Sequence, residues 1–220
     1  MWQLDGSKAR LETSRLTCEL DLAWPGRGLT KLAGSLVAGS LDPSNAFSAE
    51  GAAIMQLTLP GNATLLTDAY VRGNDLVATY DESADLPCRT QVYWRIENES
   101  DFLGIQLIVS VQTSLLDSAP SLTVASQVAG SVRLVEEGVA LMSLLDPNVS
   151  YVEVTDGSNV ESTIIQNNSQ ITNKLFPGSL EKGVIRRARI LGCFLSASSA
   201  EQTARTLHER FVRSAPPLTT

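Results

Sequence analysis

The 220-residue sequence predicts an all-β fold, a large antiparallel β-sandwich with one C-terminal amphipathic helix. Three observations carry this expectation. Apolar residues recur at every second position through most of the chain, the period of a half-buried strand. Turn-forming residues such as Pro25-Gly26, Gly73-Asn74 and Asp156-Gly157 separate these runs. Only near the end does the period lengthen to that of a helix. At least ten strands fit between the turns, a number that suits a large sandwich or barrel. No linker rich in Pro, Gly or Ser and no fixed-period repeat interrupts the pattern, so one domain over 1–220 is expected.

The first strand is expected at 16–24, where Leu16, Cys18, Leu20, Leu22 and Trp24 alternate with Thr17, Glu19 and Asp21. Pro25-Gly26-Arg27-Gly28 ends it. A second covers 54–59 and stops at Pro60-Gly61-Asn62. Runs at 65–72 and 76–80 flank Gly73-Asn74, a pair suited to the positive φ of a tight hairpin. In 90–96, Val92, Trp94 and Ile96 share one face, and Gln91, Tyr93 and Arg95 share the other. The run 103–113 collects Leu103, Ile105, Leu107, Val109 and Val111 on one face, and pairs with 90–96 across Asn98-Glu99-Ser100-Asp101. Further strands are expected at 123–128, 131–135 and 139–144. The segments 150–155 and 160–165 flank Asp156-Gly157 as another hairpin, and 185–195 is the last long strand. Ser198-Ser199-Ala200-Glu201 then reads as a capping box. It opens a helix over about 199–213, with Ala200, Ala204, Leu207 and Phe211 on the side that packs back on the sheets. Ser214-Ala215-Pro216-Pro217 stops it.

Composition excludes several functions. With 43% hydrophobic and 19% charged residues the chain is no disordered segment. A net charge of −7 argues against nucleic acid as a partner. The acids concentrate in 1–180, while Arg186, Arg187 and Arg189 fall on both faces of the last strand and so make no single basic stripe. No apolar run approaches a membrane span and the start lacks a signal-peptide pattern, so a cytoplasmic protein with no membrane partner is expected. Four sequons read as chance occurrences in that setting. Cys18, Cys88 and Cys193 share no metal or redox spacing. Cys18 and Cys193 read as buried, whereas Cys88, after Pro87 in a polar stretch, is expected to be exposed. No Walker loop or dinucleotide fingerprint is present, so no cofactor is expected. The oligomeric state stays open.

A lone histidine, His208, excludes multi-histidine zinc sites and reads as a helix-edge residue. Asp81, Glu82 and Asp85 cluster after Tyr80, and Glu136-Glu137 sit in a turn. A carboxylate pair at the right separation hydrolyses glycosidic bonds, although acids in turns are usually solvated charges. The acidic cluster lacks the ligand ladder of a calcium loop, so no metal is expected. The richest stretch is 70–95, where three of the four tyrosines lie among planar hydrogen-bonding side chains. Aromatic rings with Arg, Asn and Asp around them suit sugars, whose C–H faces stack while their hydroxyls bond. The candidate ligand residues are Arg72, Tyr80, Glu82, Arg89, Tyr93 and Arg95, with Trp94 kept in the core. In the competing reading Trp94 and Tyr80 fill the sandwich, and the arginines pair with Asp75, Asp81 and Glu82 at its rim.

The layout of antiparallel strands over most of the chain, ending in Leu180-Glu181-Lys182-Gly183-Val184-Ile185-Arg186-Arg187-Ala188-Arg189 and a further strand, resembles the supersandwich of galactose mutarotase-like proteins. The resemblance implies carbohydrate as partner, bound on a concave sheet face. Active mutarotases of that family use histidines with a glutamate. His208 alone does not supply that set, so the mutarotase chemistry is expected to be absent. The expectation is therefore a non-catalytic, carbohydrate-binding β-sandwich. Its rivals are a carbohydrate-active enzyme working through Asp81, Glu82 or Asp85, and an assembly protein that pairs through edge strands or the helix.

Overall fold

A computed structural model describes residues 1–37, 45–60, 66–99 and 102–214. The chain begins as a meander: Trp2–Asp5 (β1), Lys8–Glu12 (β2), Leu16–Asp21 (β3), Thr30–Ser35 (β4) and Ala46–Ser48 (β5) form a five-stranded antiparallel sheet in that order. Next come Ala53–Thr58 (β6), Leu66–Arg72 (β7), Asp75–Tyr80 (β8), Arg89–Asn98 (β9), Leu103–Gln112 (β10), Asp117–Ser118 (β11) and Leu122–Gln127 (β12). Val132–Glu136 (β13), Val139–Ser143 (β14), Val149–Thr155 (β15), Val160–Gln166 (β16), Gln170–Leu175 (β17), Leu180–Glu181 (β18) and Ile185–Ser196 (β19) complete the strands. One helix, Ala200–Arg213 (α1), follows.

Two meanders, β7 to β10 and β13 to β15, are joined by β19 into an eight-stranded sheet of order β13-β14-β15-β19-β10-β9-β8-β7. A four-stranded sheet has the order β16-β17-β12-β6, and β11 pairs with β18. The inner face of the eight-stranded sheet packs on the five- and four-stranded sheets together. Leu76, Trp94 and Leu107 there meet Leu11, Leu20, Leu57 and Val124 in one apolar core. Trp2 Nε1 donates to the Trp94 carbonyl at 3.0 Å and the Tyr80 hydroxyl to the Leu22 carbonyl at 2.7 Å, so both polar tips are satisfied inside that core. The architecture is an all-β sandwich with one C-terminal helix.

The outer face of the large sheet is divided. Val139, Val152, Val154, Leu191 and Cys193 form an apolar half, which α1 covers with Ala200, Ala204, Leu207 and Phe211. The amphipathic pattern of the helix thus packs on its own sheet. Over β7 to β10 the same face carries mostly polar side chains. Among the described residues no helix is long and apolar enough to cross a membrane.

Four local expectations are corrected. The strand expected over 16–24 ends at Asp21, because Asp21 Oδ1 accepts the Ala23 amide (3.2 Å) and Trp24 N bonds back to the Asp21 carbonyl (2.9 Å). This Asx turn takes Trp24 off the buried face. The hairpin expected at Asp156-Gly157 does not form. Neither residue takes the positive φ that such a turn needs; Asp156, at φ −90°, caps a 3-10 turn over Gly157–Asn159 instead. The chain crosses there from the eight-stranded sheet to the four-stranded one. By contrast Gly73, at φ 59°, closes the expected β7–β8 hairpin, with Arg72 opposite Asp75. The capping box is also absent, since Glu201 bonds Arg133 (2.6 Å) and Arg205 (3.2 Å) and the side chain of Ser199, the N-cap residue, makes no capping bond. Finally, Cys88 is buried, its Sγ 3.6 Å from Thr90 Oγ1. The turn residues 61–62, 100–101 and 215–217 lie outside the described residues.

Candidate functional site

Strand register builds the outer polar face row by row. Arg72, Asp75, Arg95 and Gln106 lie side by side on β7, β8, β9 and β10. The next row holds Tyr70, Val77, Tyr93, Ile108 and, on β19, Arg189. A third aligns Thr79, Gln91, Ser110 and Arg187. Bonds across the strands fix these side chains. Arg95 grips Asp75 with a fork, Nε to Oδ1 at 2.7 Å and Nη2 to Oδ2 at 2.8 Å, which raises the guanidinium pKa further. The Tyr93 hydroxyl donates to Gln91 Oε1 at 2.5 Å, and Arg187 Nε to Ser110 Oγ at 3.2 Å.

Where the polar half meets α1, a cleft of about 380 Å³ opens. Arg95, Glu97, Gln106, Leu191 and Arg189 form its floor on the sheet, Phe102 and Glu99 one end, and Leu207, Arg210, Phe211 and Ser214 its wall. Arg189 is the anchor. Only 2% exposed, it donates to Asp156 Oδ2 (2.6 Å), the Ser214 carbonyl (3.0 Å) and the Phe211 carbonyl (3.2 Å) from Nη2, and to Ser214 Oγ (3.1 Å) from Nη1. It thereby ties the C-terminal end of the helix to the sheet. Its Nε has no hydrogen-bond acceptor among the described residues. Arg210 lies over the Phe102 ring at 5.3 Å and Arg189 over Phe211 at 4.5 Å, both within reach of cation–π attraction. Burial pushes the Glu97 carboxyl above its ordinary range; Arg95 opposes the shift and Glu99 adds to it. The cleft thus lines donors and carboxylate acceptors beside an apolar wall.

The six residues singled out in the sequence fall in three places. Arg72, Tyr93, Arg95 and Arg89 share the outer face, Arg89 at its far end beside Gln91 and Arg187. Tyr80 is in the core between the sheets. Glu82 lies in the loop toward that end of β9 and accepts from Ser114 N (2.9 Å) and Oγ (2.8 Å), while Arg89 pairs with Asp81 at 3.2 Å. Asp81 and Glu82 are thus engaged in loop contacts. His208 Nδ1 sits 3.2 Å from Glu136 Oε1, a partner that no local spacing announces. Both line a groove of about 800 Å³ beside Gly138. Sequence reasoning missed Glu97, Phe102, Gln106, Arg189 and Arg210. For two of them a signal was available. Glu97 continues the odd-numbered polar face of 91–95, and Gln106 shares the even-numbered side of its strand with Ser110 and Gln112.

No family profile and no curated protein matches the chain in sequence. Structure comparison finds a likeness to a solved chain assigned as a kojibiose phosphorylase from the human microbiome, with a TM-score of 0.59 and 8% identity. At that identity the likeness is one of fold. It covers 97% of this chain and 36% of that one, so the present chain spans about a third of the phosphorylase's length.

Proposed function

We propose that this chain is a non-catalytic carbohydrate-binding β-sandwich, with the sugar held in the cleft between α1 and the outer face of the eight-stranded sheet. The observation that carries the reading is the lining of that cleft. Arg95, Gln106 and Arg210 offer donors, Glu97 and Glu99 offer acceptors, and Phe102, buried with Arg210 over its ring, closes one end as an apolar wall. Its volume falls within the range of small-molecule sites, at the small end. The fold shared with a chain assigned as a sugar phosphorylase supports carbohydrate as the ligand class. The galactose mutarotase-like layout and the concave-face mode of binding belong to the same reading. So does a cytoplasmic setting, which three buried free thiols suit. Of the residues first singled out, Arg95 is in the cleft, Tyr93 supports it from the adjacent row, and Arg72 continues the row beyond Asp75. Tyr80, Glu82 and Arg89 take no part.

Calorimetric titration with mono- and trisaccharides tests this. One sugar class is expected to bind, and Glu97→Gln or Arg210→Ala to weaken it by roughly ten- to a hundredfold, the range for a hydrogen bond to a charged group. Binding that neither substitution changes would overturn the site. Turnover of the sugar that Glu82→Gln abolishes would replace the binding module with an enzyme working through the loop carboxylates.

A further inference from the structure

The five-stranded sheet carries a second polar surface, separate from the one under α1. Its outward side chains align as Gln3, Arg10, Glu19 and Thr30 across β1 to β4, with Asp5, Lys8 and Asp21 in the next row. A cleft of about 600 Å³ lies over them. Arg27 lines one end of it and stands 5.5 Å from the ring centre of Trp24.

Trp24 is 51% exposed, whereas Trp2 and Trp94 are buried at 3% and 0%. Leaving so large an apolar ring in water forgoes the burial that the other two tryptophans have. The ring is nevertheless carried on a stiff support. Asp21 holds the turn before it, the Arg27 amide bonds the Trp24 carbonyl at 2.9 Å, and Pro25 opens a 3-10 turn directly after it. Gly28, at φ 68°, then brings the turn against β6 so closely that a Cβ there would lie 2.4 Å from the Ile54 carbonyl oxygen. The backbone that carries this exposed indole is thus held in place, and Arg27 lies over the ring. The charged residues lining the neighbouring cleft balance, with Asp5, Glu19 and Asp21 against Lys8, Arg10 and Arg27. Such a surface offers many donors and acceptors and no net charge. It matches a neutral polyhydroxylated ligand better than an ionic one.

We propose that Trp24 and the outer face of β1 to β4 form a second saccharide surface, where a neutral sugar ring stacks on Trp24 and its hydroxyls bond Arg10 and Glu19. The proposal takes its ligand class from the carbohydrate reading above but depends on none of the residues under α1.

Because Trp24 is the exposed member of three tryptophans, its fluorescence reports on this surface alone. Acrylamide quenching is measured with neutral trisaccharides of glucose, galactose, xylose and mannose, alongside calorimetry on the wild type, Trp24→Ala, Glu19→Gln and Glu97→Gln. The expected result is that one trisaccharide shields the tryptophan emission. Trp24→Ala and Glu19→Gln should then each weaken binding by roughly tenfold, the size of one aromatic or polar contact, while Glu97→Gln leaves the shielding intact. Calorimetric binding lost in Glu97→Gln, with quenching never relieved by any sugar, would overturn this surface and leave the cleft under α1 standing. No heat and no shielding across the panel would overturn both.

Discussion

Inside the sandwich, Glu153 on β15 is 1% exposed. It accepts hydrogen bonds from the Ser126 hydroxyl on β12, the Tyr151 hydroxyl (3.1 Å) and Asn173 Nδ2 on β17 (3.2 Å). Ser126 in turn accepts the Met55 amide of β6 at 2.8 Å, and Asn173 Oδ1 accepts the Thr163 hydroxyl of β16 at 2.8 Å. All these donors are neutral. Burial therefore dominates and pushes the Glu153 carboxyl from its ordinary 4.5 to about 7, with the three hydrogen bonds opposing. The folded state holds this proton more tightly than the unfolded chain. The stability linked to it is fully present below pH 4.5 and is lost as pH rises to about 7. Glu153→Gln cannot ionise, so the wild type should lose roughly 3 kcal/mol relative to the variant across that window, at 1.36 kcal/mol per pKa unit. Urea unfolding of both proteins from pH 4.5 to 8 checks this, and a constant difference would contradict it. Alternation places Tyr151 and Glu153 on the same face of the strand at 150–155. It cannot say that this face is the inner one, because two of the three donors that make burial tolerable, Ser126 and Asn173, come from other strands. The same limit applies to the cleft. Tyr93 and Arg95 were legible as neighbours on one polar face, but Arg189 and Arg210 reach the site only through the sheet order and the docking of α1.

The crossing from β15 to β16 shows how one element boundary depends on a distant strand. Asp156 caps the 3-10 turn and binds Arg189 of β19, while Asn159 donates to the Arg187 carbonyl at 2.7 Å and accepts from Arg186 Nε at 3.1 Å and Nη2 at 2.8 Å. Burial works against ionisation of Asp156, but the bonds from Arg189 and Ser158 outweigh it and hold its carboxyl below the usual value. Replacing Asp156 with Asn keeps the shape and removes the charge, leaving Arg189 buried without its counterion. A loss of about 3–5 kcal/mol is expected in chemical denaturation at neutral pH. Because the folded-state pKa is lowered, this gap should narrow as pH falls and the wild-type carboxyl is protonated. A Asp156→Asn variant as stable as the wild type would show that the crossing rests on the asparagine and backbone bonds instead. The Asp-Gly pair reads as a hairpin because local sequence favours one. The fold overrides it with two arginines that lie about thirty positions later in the chain.

At the scale of the whole molecule, the period of two and the switch at the helix were enough for the fold class. They gave the strands of the eight-stranded sheet close to their observed bounds. The amino-terminal hairpin of β1 and β2, and the short strands β5, β11 and β18, escaped because so few residues show no period; β4 and β17 escaped because Leu32 is the one large apolar residue of the first and a buried Asn173 separates Ile171 from Leu175 in the second. Sheet membership escaped for another reason: an antiparallel pair leaves the same alternation whichever partner it meets. The most consequential of these pairings is that of β19. Its residues run beside β10 from Ile185 to Phe194 and beside β15 from Ile190 to Ser196, so the two meanders of the large sheet meet only through it. Among the described strands this one is translated last. Until it is made, the growing chain carries two long unpaired strand edges, β10 and β15, both destined for the middle of a sheet; β10 bears no charge or proline to protect it, and β15 only Glu153. A chain ending before Ile185 is thus expected to sediment with the insoluble fraction on expression, while the full-length chain stays in the supernatant. In the cell, the same interval makes this protein one whose birth needs either speed or a chaperone's shelter.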